Sequence, residues 1–279
     1  MRCTLKTLNW IHKLVFLLCV LGFTSLSVAG DEIIFSTPPT QSLKVSIQRY
    51  GPLADYLSKR LGRKVKLVMA ANFIEYSQAL LDDKYDIIFD GPQFIGWRIL
   101  KKHHVAVAKL PGQLNFSIIV KQGSRIKAVR KLAGKRVCSI GSPNLMTLGM
   151  FDLFPNPASV PVVIPINSFP EALKCLRRGE GVAAVVPAKW WLKRPAKVKA
   201  GLALLFESKI IWPHRGFSIG SRVDAQTRQR IKELILSPGG TRAGRPILKR
   251  YKAKSFVTAT DAEYSPLYKL LRPIWGFHQ

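Results

Sequence analysis

Short apolar segments alternate with amphipathic helical segments along most of this chain, and this alternation constrains the fold more than any other feature. The segments EIIFST (32–37), KVKLVMA (64–70) and YDIIF (85–89) have the length and composition of strands. Between them, apolar residues recur at steps of three and four from Leu43 to Leu61, and residues 73–83 follow the same helical pattern. Two successive β-α-β units predict a parallel sheet with right-handed crossovers.

The same alternation restarts in the middle of the chain. KRVCSIG (135–141), VPVVIPI (160–166) and GVAAVVP (181–187) have strand composition, and FPEALKCLRRG (169–179) has a helical pattern that ends at Gly179. This second series predicts a second α/β lobe.

Two extended segments lie between the two series, NFSIIVKQ (115–122) and HRGFSIG (214–220). If the chain crosses to a second lobe and returns, these segments become hinge strands, and the helical tail that Asp224 caps packs back on the first lobe. The predicted fold class is therefore α/β, with two lobes joined by two hinge crossover strands. The predicted division is a signal peptide at 1–29, lobe one at 30–114 plus 218–279, and lobe two at 115–217.

The first 29 residues have the order of a secretory signal peptide. Arg2, Lys6 and Lys13 precede an apolar run from Leu14 to Phe23, and small residues surround a predicted cleavage site near Ala29. The apolar run is shorter than the ~20 residues that a membrane-spanning helix needs. We therefore predict an exported protein of the periplasm; an uncleaved N-terminal anchor is the alternative.

The chain carries a large excess of positive charge, with 44 Lys and Arg against 16 Asp and Glu and a formal net charge of +28. Loss of the three basic residues of the leader lowers this charge to about +25. The basic residues are dispersed, as on solvated helix faces, and their excess predicts attraction to an anionic membrane surface. Export and the lack of a nucleic-acid-binding motif argue against a nucleic-acid partner.

The sequence shows no motif for catalysis or for cofactor binding. G-x-S-x-G, H-E-x-x-H and a glycine-rich nucleotide loop are absent. Neither Cys138 nor Cys175 has metal-ligand spacing to a histidine. We therefore expect no enzyme activity, no cofactor and no metal site. In an oxidising compartment the two cysteines either pair as a disulfide or remain as buried free thiols.

The segment YDIIFDGPQFI (85–95) is a candidate ligand-binding junction, because a strand runs directly into a helix there. Open α/β sheets bind their ligands at such junctions, and Gly91 permits a sharp turn. Asp90 has two interpretations, either an N-cap of the following helix or a direct contact to a cationic or hydroxylated ligand.

Four segments resemble the periplasmic binding proteins of phosphate, phosphite and phosphonate ABC transporters. YGPLADYLSKRLGRKVKLVMAANF is similar to the opening segment of that family, and ALLDDKYDIIFDGPQFI is similar to its strand–glycine–turn segment. GSRIKAVRKLAGKRVCSIGSPN resembles its entry into the second lobe, and FVTATDAEYSPLYKLL its C-terminal signature. The resemblance covers roughly residues 32–272. It implies a type II, venus-flytrap fold that holds an oxyanion between two lobes with helix N-termini, hydroxyls and aromatic rings.

The chain departs from the family pattern at three places. Where the family has a Ser-Thr-Ser-Gly run, this chain reads SPNLMTLGM, so Leu145 and Met146 stand where hydroxyls are expected. Asp90 replaces an aromatic or apolar residue, and an ionised carboxylate there would repel a phosphonate. Val182 replaces an acid that often meets a ligand amine. These departures leave the identity of the ligand open.

The candidate ligand-binding residues lie at predicted strand ends, helix starts or hinges. Ordinary capping is the alternative role for Thr40 and Gln41, core packing for Phe94, and a structural hydrogen bond for His214. The full predicted set is Thr40, Gln41, Asp90, Gly91, Phe94, Ser142, Asn144, Thr147 and His214.

The resemblance implies a solute-binding protein, the substrate-binding component of an ABC transporter. A ligand would stabilise the closed state of the two lobes in proportion to its preference for that state, and the closed protein would dock on a membrane permease. One alternative is a sensory protein that reports ligand occupancy to a membrane receptor. Another is an envelope protein that has lost its ligand and holds anionic surfaces.

Overall fold

The structure, a computed structural model, describes residues 32–242, 244–274 and 276–277. The predicted signal peptide at 1–29 lies outside these residues. The chain from Glu32 onward forms one compact unit. In this part of the chain, none of the helices combines the length and the hydrophobicity that crossing a membrane requires.

Helices and strands alternate along the described chain. The strands are β1 (Ile33–Ser36), β2 (Val65–Leu67), β3 (Ile87–Asp90), β4 (Val105–Lys109), β5 (Gln113–Leu114), β6 (Phe116–Lys121), β7 (Arg136–Ser139), β8 (Val162–Pro165), β9 (Ala183–Pro187), β10 (Leu202–Glu207), β11 (Trp212–Pro213), β12 (Gly216–Ile219) and β13 (Val257–Thr258). The α-helices are α1 (Leu43–Leu61), α2 (Phe73–Leu81), α3 (Pro92–Lys102), α4 (Leu145–Phe151), α5 (Phe169–Arg178), α6 (Ala188–Leu192), α7 (Ala196–Lys199), α8 (Ala225–Leu236), α9 (Gly244–Tyr251) and α10 (Asp261–Tyr264). Short 3₁₀ helices span Val129–Leu132, Pro157–Ser159, Pro238–Gly240 and Ser265–Leu271.

The first sheet has the strand order β13-β4-β12-β3-β1-β2. Strand β1 pairs parallel with both β2 and β3, which confirms the two β-α-β units that the sequence predicted. Strand β12 returns from late in the chain and lies antiparallel between β3 and β4.

The second sheet has the strand order β10-β6-β9-β7-β8. Strand β7 pairs parallel with β8 and β9, so the second predicted α/β series is also confirmed. Strand β6 is antiparallel to its neighbours β9 and β10. All five strands lie between residues 116 and 207, whereas the first sheet takes its strands from the chain before and after that region.

Both segments predicted as crossovers form strands inside these sheets, β6 in the second and β12 in the first. A two-stranded antiparallel ribbon, β5 with β11, immediately precedes each of them. The lobe boundaries and the hinge role of these segments remain predictions.

Helix α1 shows how the chain compensates for a proline inside a helix. Pro52 has no N–H, so the Gln48 carbonyl one turn earlier loses its usual helical partner. The Arg250 guanidinium, carried by α9, donates a hydrogen bond to that carbonyl. The helix ends where Gly62 adopts a left-handed conformation with φ of 65°.

Strand β6 is buried on both faces. Phe116, Ile118 and Val120 pack in one apolar cluster, and Ile119 packs in another on the opposite face. Alternate side chains of a strand point to opposite faces, so this pattern indicates a sheet covered on both sides. The second cluster contains the disulfide between Cys138 of β7 and Cys175 of α5, so the structure adopts the paired alternative.

Candidate ligand-binding cavity

A cavity with a volume of ≈ 410 Å³ lies where the β3–α3 junction faces the loop between β7 and α4. Residues from both sides line it, together with the segment between β11 and β12. Two depressions of ≈ 510 and ≈ 520 Å³ lie along α1, but no predicted site residue lines either of them. The smaller cavity is therefore the candidate site.

The structure brings six of the nine predicted residues to this cavity. They are Thr40, Asp90, Gly91, Phe94, Asn144 and His214. Gln41, Ser142 and Thr147 are not among the residues that line it. We name the β3–α3 residues with His214 and Arg215 the first wall, and Gly141 with Pro143–Met146 the second wall.

Asp90 lies at the end of β3 and is 1% exposed. Its Oδ2 accepts hydrogen bonds from Tyr76 Oη at 2.5 Å and from Arg98 Nη1 at 3.0 Å. Its Oδ1 accepts from the Gly91 N–H at 2.6 Å, and Gly91 is the N-cap residue of α3. The N-cap interpretation of Asp90 was therefore wrong by one residue. Its charge is compensated by the buried Arg98, which removes much of the repulsion expected against an anion.

Arg98 extends this contact into a chain of buried polar groups. Its Nε donates to Ser218 Oγ at 3.1 Å, and that oxygen lies 3.3 Å from His104 Nδ1. His104 Nε2 in turn lies 3.0 Å from Asp83 Oδ1. Burial lowers the pKa of His104 and raises the pKa of Tyr76 well above its usual value. These polar groups are thus bonded to one another, except for Arg98 Nη2, which is buried without a hydrogen-bond partner.

The second wall is less polar. Leu145 and Met146, which stand in place of the family's hydroxyls, line the cavity. Asn144 caps α4, because its Oδ1 accepts from the Met146 N–H at 3.0 Å. Thr147 does not reach the cavity: it is fully buried, and its hydroxyl bonds Ser139 Oγ and the Ile140 carbonyl. The hydroxyl of Thr147 therefore connects α4 to the end of β7 by hydrogen bonds.

Arg215 contributes the uncompensated charge of the cavity. Its guanidinium lies 4.7 Å from the Phe89 ring centroid, and its buried Nη2 has no hydrogen-bond partner. No acidic side chain of the described residues forms an ion pair with it. Burial, together with the charges of Arg215 and Lys189, lowers the pKa of His214 to about 4. His214 is therefore neutral at neutral pH, and its Nδ1 accepts from the Arg215 N–H at 2.8 Å.

Gln93 connects the two walls. Its Nε2 donates to the Pro143 carbonyl at 2.9 Å, whereas its buried Oε1 has no partner. Sequence reasoning missed Gln93, Arg98 and Arg215. Gln93 directly follows Gly-Pro, and Arg215 directly follows His214, so proximity to a predicted residue was the available signal for both. No signal linked Arg98 to Asp90, since the contact depends on helix packing.

The described residues contain no group of three or more His, Cys, Asp or Glu side chains that could hold a metal ion. Among the residues that line the cavity, Asp90, His214 and Arg215 are the ones with ionisable side chains. With Asp90 paired to Arg98 and His214 neutral, the cavity is suited to a small ligand that carries negative charge and has an apolar part.

Comparison with known proteins identifies what the chain is similar to. The model of the family described as "ABC transporter, phosphonate, periplasmic substrate-binding protein" matches residues 35–264. No curated protein sequence gives a significant match.

Three solved structures share the fold at low sequence identity. PhnD1 from Prochlorococcus marinus, in complex with methylphosphonate, is 18% identical with a TM-score of 0.64, over 87% of this chain and 98% of that one. XAC2383 from Xanthomonas citri, bound to ATP, is 13% identical with a TM-score of 0.70, over 88% and 97%. A binding protein component of an ABC phosphonate transporter from Pseudomonas aeruginosa is 16% identical with a TM-score of 0.62, over 86% and 85%.

Proposed function

Because this chain belongs to the family of periplasmic substrate-binding proteins of phosphonate ABC transporters, we propose that its cavity binds a small organic anion through Arg215. Family membership makes the chain a solute-binding component of a transporter that works with an ABC permease. The proposal concerns the ligand and the residues that hold it.

The unpaired guanidinium of Arg215 is the observation that carries this proposal. A buried or partly buried cation without a counter-charge is costly, and an anionic ligand removes that cost. Guanidinium groups also match the geometry of carboxylate and phosphonate oxygens, because they present parallel N–H donors. Since Asp90 is already paired with Arg98, the first wall offers the ligand one net positive charge.

The rest of the lining favours an organic substituent over a bare inorganic ion. Phe73, Phe94, Leu145, Met146 and Phe169 line the cavity. Apolar and aromatic side chains gain free energy when they cover an apolar group, and a hydrated inorganic ion offers them none. Methylphosphonate, the ligand of the P. marinus structure, has this combination of an oxyanion and an apolar group.

The proposal extends to the cell compartment and to the mechanism. We propose export by the N-terminal leader, residence in the periplasm, closure of the two predicted lobes around the ligand, and no catalytic step. The family is periplasmic, which supports the compartment. The comparisons give no support to the sensory alternative or to an anionic membrane surface as a partner.

Calorimetric titration of the purified mature protein with methylphosphonate, ethylphosphonate, phosphate and ethylammonium tests the proposal. We expect the two phosphonates to bind and ethylammonium not to bind. Arg215→Gln should weaken phosphonate binding at least about tenfold, since hydrogen bonds to charged groups contribute about 1.5–3 kcal/mol.

Arg125→Gln is the matched control, because Arg125 is exposed and does not line the cavity. The substitution removes the same charge without changing the lining. It should bind as the unmodified protein does. Binding of ethylammonium alone, or equal phosphonate affinity in the Arg215→Gln variant, would overturn the proposal.

A further inference from the structure

Gln93 places a buried hydrogen-bond acceptor beside the cavity. The side chain is 3% exposed and lines the cavity. Its Nε2 faces the Pro143 carbonyl at 2.9 Å. A carbonyl oxygen only accepts hydrogen bonds, so the amide nitrogen must face Pro143 and Oε1 must face the other way. The orientation of this amide is therefore determined by its chemistry.

Gly91 provides the space in which this acceptor lies. A Cβ built on Gly91 would lie 2.7 Å from Gln93 Oε1 and 3.3 Å from Cδ. A larger residue at position 91 would require the amide of Gln93 to shift. The backbone of Gly91, with φ of −72°, is open to any residue, so the expectation that glycine is needed for the turn was wrong. The lack of a side chain instead leaves room for the amide of Gln93.

The acceptor lacks a donor among the described residues. Gln93 Oε1 is buried with no hydrogen-bond partner, and buried polar groups in folded proteins are nearly always paired. The same cavity wall holds Arg215 Nη2, a buried donor without a partner. One ligand with an anionic oxygen and a hydrogen-bond donor would satisfy both atoms. Both atoms are buried in this structure, so contact with a ligand requires the groups around them to move.

The charges of the first wall favour a neutral donor over an ammonium group. Asp90 Oδ1 is used by the Gly91 N–H, and Oδ2 is used by Tyr76 and Arg98. No other acidic residue lines the cavity. An ammonium group would therefore lose its water without gaining a free carboxylate, and it would lie in the same cavity as the Arg215 cation. A hydroxyl group donates to an amide oxygen without this cost.

We propose that Gln93 is a specificity-determining residue and that the ligand is a hydroxyl-bearing organic anion. The anionic group pairs with Arg215, and the hydroxyl donates to Gln93 Oε1. This inference rests on the proposed function, since it requires that Arg215 hold the anion.

Titration with ethylphosphonate, hydroxyethylphosphonate and aminoethylphosphonate separates the alternatives, because the three differ at one substituent. We expect hydroxyethylphosphonate to bind about tenfold more tightly than ethylphosphonate, as for one added hydrogen bond to a buried acceptor. Aminoethylphosphonate should bind less tightly than hydroxyethylphosphonate.

In Gln93→Met, the ratio of the hydroxyethylphosphonate and ethylphosphonate affinities should fall to about one. In Gln93→Glu, which supplies a carboxylate, the preference should shift toward aminoethylphosphonate. Gln229→Met changes an exposed helix residue and should leave all ratios unchanged. Circular dichroism melts of each variant show whether it is folded.

Each outcome decides one question. Equal binding of ethylphosphonate and hydroxyethylphosphonate, or tighter binding of aminoethylphosphonate, overturns the role of Gln93 while the anion site stands. A hydroxyl preference that persists in Gln93→Met also overturns it. If none of the three phosphonates binds, the proposed function itself fails.

Discussion

The two walls of the cavity are built in different ways from sequence segments that both resemble the same family. The first wall rests on buried charge: Asp90 is paired with Arg98, and Arg215 stands without a counter-charge. The second wall rests on apolar side chains and on a threonine that faces inward. The first wall contains one partner of a buried ion pair, and β7, the strand that precedes the second wall, carries the disulfide to α5.

This difference teaches that a turn can keep its shape while its chemistry changes. The loop after β7 still leads into a helix that faces the cavity, but the hydroxyls expected there are replaced or turned away. In the proposed function, the positive charge of Arg215 on the opposite wall holds the anion instead. Family resemblance therefore locates the cavity better than it identifies the groups that contact the ligand.

The largest effect is expected from Arg98→Met, which removes one partner of the buried pair behind the first wall. The variant leaves the Asp90 carboxylate without a counter-charge at 1% exposure. Breaking such a pair costs about 3–5 kcal/mol, and urea unfolding should show that loss. The double variant Asp90→Asn with Arg98→Met removes both charges and should recover part of the stability. A loss in the single variant that is no larger than in the double variant would contradict the pairing argument.

Removal of the disulfide that joins β7 to α5 is expected to have the next largest effect. Cys138 and Cys175 are 37 residues apart in the sequence, and the bond restricts the unfolded chain over that length. The variant Cys138→Ala with Cys175→Ala should lose about 2–4 kcal/mol in urea unfolding. Thiol titration of the denatured, unreduced protein is a direct check: detection of two free thiols would show that the pair is not formed.

Thr147→Val should have a smaller effect and tests whether the hydroxyl of the second wall is structural. The variant leaves Ser139 Oγ and the Ile140 carbonyl without their partner, which should cost about 1–3 kcal/mol. Phosphonate affinity should stay the same, since Thr147 does not line the cavity. Thr147→Ser keeps the hydroxyl and serves as the control. A loss of affinity without a loss of stability would assign Thr147 to the ligand.

The smallest effect is a pH dependence that arises from His214 in the first wall. Its pKa falls from 6.5 to about 4 because of burial and the charges of Arg215 and Lys189. Between these values the unfolded chain binds a proton that the folded protein excludes, so stability decreases as the pH falls from about 6.5 to about 4. His214→Gln should make this decrease shallower when urea midpoints are compared at about pH 5 and about pH 7. An unchanged slope would show that His214 is accessible to protons in the folded protein.

Six of the nine residues predicted from the sequence line the candidate cavity, but the pairing of Asp90 with Arg98 and the place of Arg215 were not predicted. Asp90 ends β3, Gly91 follows it, and Asn144 lies in the loop between β7 and α4. Ligands bind at such carboxyl ends of strands in open α/β sheets, so the position of these residues was predictable. Thr147 was expected at the cavity because it is close in sequence to Asn144, but the turn of α4 directs it toward β7. Asn144 is the N-cap that precedes α4, whereas Thr147 lies in its first turn and its hydroxyl contacts Ser139 and the Ile140 carbonyl.

Local sequence determined the alternation of strands and helices, the two α/β series, and the helix caps at Asp224 and Gly62. Hydrophobic periodicity and capping act between residues that are near neighbours in the chain. Tertiary structure decided the pairing of Asp90 with Arg98, the contact from Gln93 to Pro143 and the placement of Arg215. These contacts join groups by direction and distance after the elements have packed. No periodic pattern encodes such distances, and the balance of charge in the cavity follows from them.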